Sequence, residues 1–207
     1  MNSFKLSDQE IKTLCEAAST APSGGNVQAW KVEILLKNKF KIFIDKSRAG
    51  SFLDIDYLAS YLSIGAFFKN LQITADYLNL KYKVIKENFK DINQPVLTIL
   101  FNDRIVNKSK IGSYYKYIFK RNTNRKFYDS THIPENKILY LKKLITEISN
   151  LKLSLISDEN MKVKIAKILG RGDVIRTLND KLFTEMFSEL RWNNKDVETT
   201  RDGIDIN

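Results

Sequence analysis

The chain has 207 residues, of which 43% are apolar, 28% charged and 11% aromatic, enough to bury a core in one sizeable domain or two small modules without cross-links. One cysteine, Cys15, excludes an internal disulfide, one histidine, His132, leaves no zinc-ligand set, and neither an apolar run of about 18 residues nor a signal core within Met1 to Ser7 is present, so a soluble cytoplasmic protein is expected. The formal charge of +10 invites a nucleic-acid reading, but the lysines are scattered (Lys37, Lys39, Lys41; Lys81, Lys83, Lys86) and no nucleic-acid motif accompanies them, leaving salt-sensitive nonspecific association or local capture of a small anion.

Ser7-Asp8-Gln9-Glu10 has capping-box spacing, and Ile11, Leu14, Cys15 and Ala18 follow at helical intervals, which predicts a helix to about Thr20 that Pro22 ends. On that face Cys15 reads as a small buried residue rather than a reactive thiol. Alternation of Trp30, Val32, Ile34 and Leu36 predicts a strand, with Lys37-Asn38-Lys39 turning into a return strand of Phe40, Ile42 and Ile44. A long central helix is predicted from about Asp54 to Leu78, with Asp54 and Asp56 capping it and Leu58, Tyr61, Leu62, Gly65, Phe68, Gln72 and Ala75 as its stripe. Gly65 and Ala66 allow close approach of a neighbour or simple tight packing. Asn79 suits the helix end, and Tyr82–Ile85 and Pro95–Phe101 read as strands.

Asn102 to Lys110 reads as a polar linker, followed by a short aromatic helix over Ile111–Phe119. Pro134 opens a helix through Ile138, Leu141 and Ile145, and Leu151, Leu153 and Leu155 alternate as a strand. Two more helices, Glu159–Leu169 and Asp173–Trp192, are expected on either side of Gly170-Arg171-Gly172, and then a polar tail from Asn193. This divides the chain into a first module, 1–110, and the opening of a second, 111–207. Irregular alternation of helices and hairpins predicts an α+β fold, an antiparallel or mixed sheet flanked by helices. No Gly-x-Gly-x-x-Gly follows a strand and no Walker loop is present, which disfavours Rossmann and P-loop ligands.

Two segments carry chemistry. In Ala21-Pro22-Ser23-Gly24-Gly25-Asn26-Val27-Gln28-Ala29-Trp30 the glycines let backbone N–H groups approach a ligand, while Ser23, Asn26 and Gln28 offer donors and acceptors to a planar polar molecule. The same residues also make an ordinary helix-to-strand turn. In Arg121-Asn122-Thr123-Asn124-Arg125 two guanidinium groups four positions apart, with a hydroxyl between them, can fork onto phosphate oxygens, or form an exposed basic loop. His132 reads as a solvated loop residue, and Glu185 and Glu189 as a polar helix face.

The first segment resembles the A-P-S-x-x-N-x-Q-P-W element of the nitroreductase superfamily, with Ala29 in the usual proline slot. Leu14–Ala18 and Ile64–Leu71 are similar to its preceding and central helices. The second resembles the family's R-x-S-x-R element with threonine for serine. Its position after the first is similar to the Acg-type subgroup, in which two modules are fused in one chain. The resemblance covers most of residues 8–130 and extends weakly to Glu189–Trp192 and Asp202–Ile204, and the family's later segment has no counterpart before Asn207.

What the resemblance implies is an FMN-dependent oxidoreductase that takes hydride from NADH or NADPH and reduces a nitroaromatic, quinone or similar acceptor. The catalysis is then the flavin's own, and the homodimer is the expected assembly. Cofactor-binding positions carried over are Pro22, Ser23, Gly24, Asn26, Gln28, Arg121, Thr123, Asn124 and Arg125. Arg121 and Thr123 would serve the phosphate and ribityl end, Arg125 the pyrimidine edge, and Gln28 and Trp30 the loop itself. Alternatives are an FMN-sequestering protein with little turnover and a basic interaction domain that keeps the fold without flavin.

Overall fold

A computed structural model describes residues 4–86, 91–105, 110–129, 131–146, 148 and 151–206. In chain order the elements are α1 (Asp8–Ser19), β1 (Trp30–Leu35), β2 (Lys39–Ile44), α2 (Leu58–Tyr77), β3 (Leu80–Lys86), β4 (Leu97–Arg104) and α3 (Tyr115–Ile118). They continue with α4 (Glu135–Thr146), α5 (Glu159–Leu178), α6 (Asp180–Ser188), β5 (Leu190–Arg191), α7 (Asn194–Thr200) and β6 (Ile204–Asp205). Contacts divide the chain into two compact units, residues 1–123 with 184–207, and residues 124–183.

The first unit is α+β, a four-stranded antiparallel sheet in the order β1-β2-β4-β3 with helices packed on it. Its α1 opens as the spacing predicts: the Ser7 hydroxyl accepts from the Glu10 N–H, and the Glu10 carboxylate accepts from the Ser7 N–H at 2.8 Å. The hairpin turn bends at Leu36 and Lys37, both with positive φ, which neither side chain favours. Neighbours hold it there, since the Lys37 carbonyl accepts from the Leu6 N–H and the Asn38 carbonyl from the Phe101 N–H. Alternation along β2 buries Phe40, Ile42 and Ile44 beside Leu97, Ile99 and Phe101 of β4, with Leu14 of α1 and Ile64, Phe67 and Leu71 of α2 completing the core. Phe40 meets Phe101 edge-on at 5.3 Å and Trp30 tilts onto Phe67 at 5.2 Å. Each such side chain contributes about 1.5–3 kcal/mol of apolar burial.

Several expectations need correction. The buried face of α2 is Ser60, Ser63, Ile64, Phe67, Leu71, Thr74 and Ala75; of the expected stripe Ala75 lies on it and Tyr61 and Phe68 pack against the core, whereas Leu58, Leu62 and Gly65 face outward. Leu58 and Leu62 are 64% and 68% exposed, and nothing approaches Gly65. The helix is apolar around most of its circumference, so periodicity alone does not select the face that the sheet covers. It begins at Leu58 because residues 55–57 form a 3-10 turn, while the Asp54 carboxylate still caps it by accepting from the Ala59 N–H at 2.8 Å. The expected linker is strand through Arg104, drawn in by pairing with Leu80 and Lys81; residues 106–109 lie outside the described ones.

Asn79 takes the left-handed position after α2, with φ 56°, as its side chain allows. Residues 111–114 form a 3-10 turn that leads into α3. In the second unit α4 starts directly after Pro134, but residues 151–155 form no strand, since no described neighbour supplies a pairing edge. Helix α5 runs through Gly170 and Gly172 to Leu178. Each glycine costs about 1 kcal/mol in a helix, too little to break a run of good helix formers, and the break falls at Asn179. Helix α6 stops at Ser188, and the tail expected as loop contains α7 and β6, the latter pairing in parallel with β5. No helix of the described residues is long and apolar enough to cross a membrane.

Candidate functional site

Pro22 ends α1, and the chain then makes a tight turn, Gly24–Asn26, into the approach to β1. Gly25 and Asn26 have φ near 54°, at 53° and 55°. That backbone disfavours a side chain on Gly25, and a Cβ there would also push aside the Glu189 carboxyl, 2.5 Å away. The Ser23 hydroxyl accepts from the Gln28 N–H at 3.0 Å and so closes the loop on itself, keeping its own proton to donate.

Across from this loop stands the outward part of α2. Pro22, Ser23 and Gly24 on one side and Ala59, Leu62, Ser63 and Ala66 on the other line an open cleft of about 270 Å³. Ala59, Leu62 and Ala66 make the α2 side mostly apolar, and a Cβ on Gly24 would meet nothing within 4 Å, so the loop backbone is open to approach there.

The same end of α1 receives the basic segment. Arg121 donates to the Thr20 carbonyl at 3.4 Å and to the Thr123 hydroxyl at 3.5 Å, although it lies 101 positions from Thr20. Asn70 of α2 reaches the same place, donating to the Ala17 carbonyl and the Thr20 hydroxyl, each at 3.2 Å. Arg121, Thr123, Pro22 and Ser23 thus gather around the carboxyl end of α1, with the guanidinium exposed to solvent. Asn124 and Arg125 begin the second unit, where the Asn124 side chain accepts from the Lys126 N–H and Arg125 is exposed.

Asn26 and Gln28 are engaged by the chain itself. Asn26 donates its amide to the Gly203 carbonyl at 3.0 Å, and Gln28 donates to the Arg201 carbonyl at 2.6 Å. Behind them lies an ion cluster that sequence reading did not single out. Asp202 accepts from Arg191 at 2.6 Å and from Arg48 at 3.0 Å. Burial works against the Asp202 charge, yet hydrogen bonds from Arg191 and Thr200 and the charges of both arginines hold its carboxyl below the ordinary aspartate range. The traces in sequence were the Asp202-Gly203 pair and Glu189–Trp192, both inside the weak tail of the resemblance.

No protein-family model matches the chain. It is similar to an uncharacterized protein, MT1398, of Mycobacterium tuberculosis (strain CDC 1551 / Oshkosh), 28% identical over 184 residues, which is 86% of this chain and 24% of the relative. The chain therefore spans about a quarter of that relative's length. Among solved structures it is similar to a nitroreductase family protein of Clostridium difficile 630, at 12% identity and TM-score 0.42, covering 72% of this chain and 90% of the other. A protein of Desulfovibrio desulfuricans assigned to the nitroreductases and crystallised with FMN matches at 12% identity and TM-score 0.42, covering 73% and 88%.

Two of the remaining candidates pack or tie the chain. Burial, with the nearby Glu16 charge, pushes the Cys15 thiol up, in keeping with a packing role beside the core. Glu185 accepts from the Phe52 N–H at 2.9 Å and ties α6 to the loop before α2. His132 is exposed in the second unit.

Proposed function

We propose that the chain is the FMN-holding part of an oxidoreductase that takes electrons from NADH or NADPH and passes them to a nitroaromatic, quinone or similar acceptor. The observation that carries this reading is that Arg121 and Thr123, distant in sequence from the first motif segment, reach the end of α1 from which Pro22 and Ser23 run into an open, mostly apolar cleft. Flavin, when bound, supplies the hydride and electron chemistry, so no acid–base dyad is required of the protein. Ser23 donates to a polar edge of the ring system, Gly24 admits it close to the backbone, and Leu62 and Ala66 exclude water from one face. Arg121 and Thr123 hold the phosphate end, where a charge-assisted fork is the strongest contact the site offers.

The outward apolar face of α2, with Phe52, Leu53 and Ile55 also exposed nearby, supports the further reading that two copies associate across it. Titration of the purified chain with FMN at low salt tests the cofactor reading, with quenched flavin fluorescence and a bound-flavin absorption band as the expected result. Light scattering on the same samples reports association. Absence of binding at tens of micromolar FMN would leave a basic interaction domain that keeps the fold. Anaerobic NADH or NADPH then separates enzyme from sequestering protein, since rapid bleaching marks turnover and persistent yellow colour marks sequestration.

A further inference from the structure

Loop 23–28 is closed locally by the Ser23 hydroxyl, yet it keeps backbone conformations that its residues seldom adopt alone. Asn26 and Gln28 both sit at positive φ, 55° and 53°, and Arg201, which faces Gln28, at 54°. Chain segments of this kind leave the left-handed region when nothing restrains them. The returning segment 189–204 adds a restraint from outside the loop. Asn26 and Gly203 exchange two hydrogen bonds, side chain to carbonyl at 3.0 Å and N–H to carbonyl at 3.2 Å, while Gln28 bonds Arg201. Arg48 bridges the two sides by donating to the Val27 carbonyl at 3.3 Å and to Asp202.

Within the segment, beside the β5–β6 pairing, one guanidinium gathers several partners. Arg191 donates through Nε to Thr200 and Asp202, through Nη2 to Asp202, and through Nη1 to the carbonyls of Ser188 and Leu190. Both partners of the Arg191–Asp202 pair are largely withdrawn from water, at 16% and 17% exposure. A pair in that setting is geometrically demanding, because losing one partner strands the other. A Cβ on Gly203 would strike the Arg191 guanidinium at 2.5 Å, so the close seat of the strap depends on that residue having no side chain.

We propose that Arg191 and Asp202 are positioning residues for the flavin loop. They close the 189–204 strap on Asn26 and Gln28 and thereby set Ser23 and Gly24 against α2. This rests on the cofactor reading above, and assigns a task to the tail of the chain, where the resemblance is weak and names no binding residue. The strap bears on the loop that faces the ring and ribityl chain, whereas Arg121 bears on the phosphate. Loosening the strap therefore weakens FMN and riboflavin alike, a signature that loss of a phosphate contact does not share.

The test compares the unaltered chain with Asp202→Asn, Arg191→Lys and Arg48→Ala. Hydrogen exchange is followed at Asn26, Val27, Gln28 and Gly203 without ligand, and FMN and riboflavin are titrated separately. Asp202→Asn is expected to speed exchange at those four amides and to weaken both flavins by the same factor, about tenfold or more. Arg191→Lys, which keeps the charge and loses the fork, should recover part of that loss, and Arg48→Ala should give the smallest effect. Slow exchange retained at Ile42 and Ile99 shows that the sheet core is intact in each variant. Unchanged exchange at the loop, or faster exchange with unaltered flavin affinity, overturns the proposal. Should the unaltered chain bind no flavin while Asp202→Asn still speeds loop exchange, the cofactor reading fails and the strap stands as the device that holds the loop.

Discussion

The two units of this chain bury comparable apolar sequence to very different extents. In the first, Phe40, Phe67, Phe101, Leu14, Leu71 and Ile99 are fully enclosed between a sheet and two helices. In the second, α5 buries none of its residues, leaving Val163, Ile168, Leu169 and Ile175 exposed, and Leu182 is the buried side chain among the described residues. A hydrophobic pattern produces a core only where a second surface of matching shape closes over it, and β2 and β4 supply that surface to α1 and α2. The same contrast divides α2 along its length, one face sealed by the sheet and the other carrying Leu58 and Leu62 into solvent.

The largest expected effect tests that contrast directly. Phe40→Ala empties a fully enclosed site and should lower unfolding free energy by about 3–5 kcal/mol, whereas Ile168→Ala on the open face of α5 should stay within about 0.5 kcal/mol. Urea denaturation of both variants decides it, and equal losses would mean that the second unit has a core of its own. A smaller effect concerns ligand rather than core. Arg121→Ala should weaken FMN by about 1.5–3 kcal/mol and riboflavin far less, because only FMN carries the phosphate the guanidinium would hold. Parallel titrations showing equal losses would move Arg121 out of the phosphate role.

The smallest effect is pH-dependent and sits at the start of α1. Burial disfavours the Glu10 charge, but bonds from the Ser7 N–H and from Arg104, 2.7 Å away, hold its carboxyl below the ordinary value of 4.5. A carboxyl lowered by folding adds stability that is present above its unfolded value and lost as pH falls through the folded one. Melting temperature should therefore drop as pH is lowered below that ordinary value, and drop less in Glu10→Gln. Ser7→Ala, which removes the other half of the box, should cost about 1 kcal/mol at neutral pH.

Much of the first unit was legible because its signals are local. Capping at Ser7, alternation along β2, the stop at Pro22 and the left-handed turn at Asn79 each depend on a few adjacent residues. The strand expected over 151–155 failed for the opposite reason, since a strand exists only with a pairing edge, and alternation does not say whether one is present. Conversely, polar Asp103 and Arg104 became strand because β3 lay beside them. At the candidate site, Ser23, Gly24, Arg121 and Thr123 could be nominated from their motifs, whereas Arg191 and Asp202 left only a weak trace and Arg48 none, because their pairing exists only once the tail returns.

Sequence by itself determined where α1 and the hairpin begin and the α+β character of the chain, and it nominated two candidate segments, all from side chains acting on their near neighbours. Tertiary structure alone decided which face of α2 is buried, that Arg121 reaches Thr20, and that the tail folds back to hold Asn26 and Gln28. Those outcomes depend on contacts between residues far apart in the chain, whose free energy appears only once the sheet has closed and brought them together.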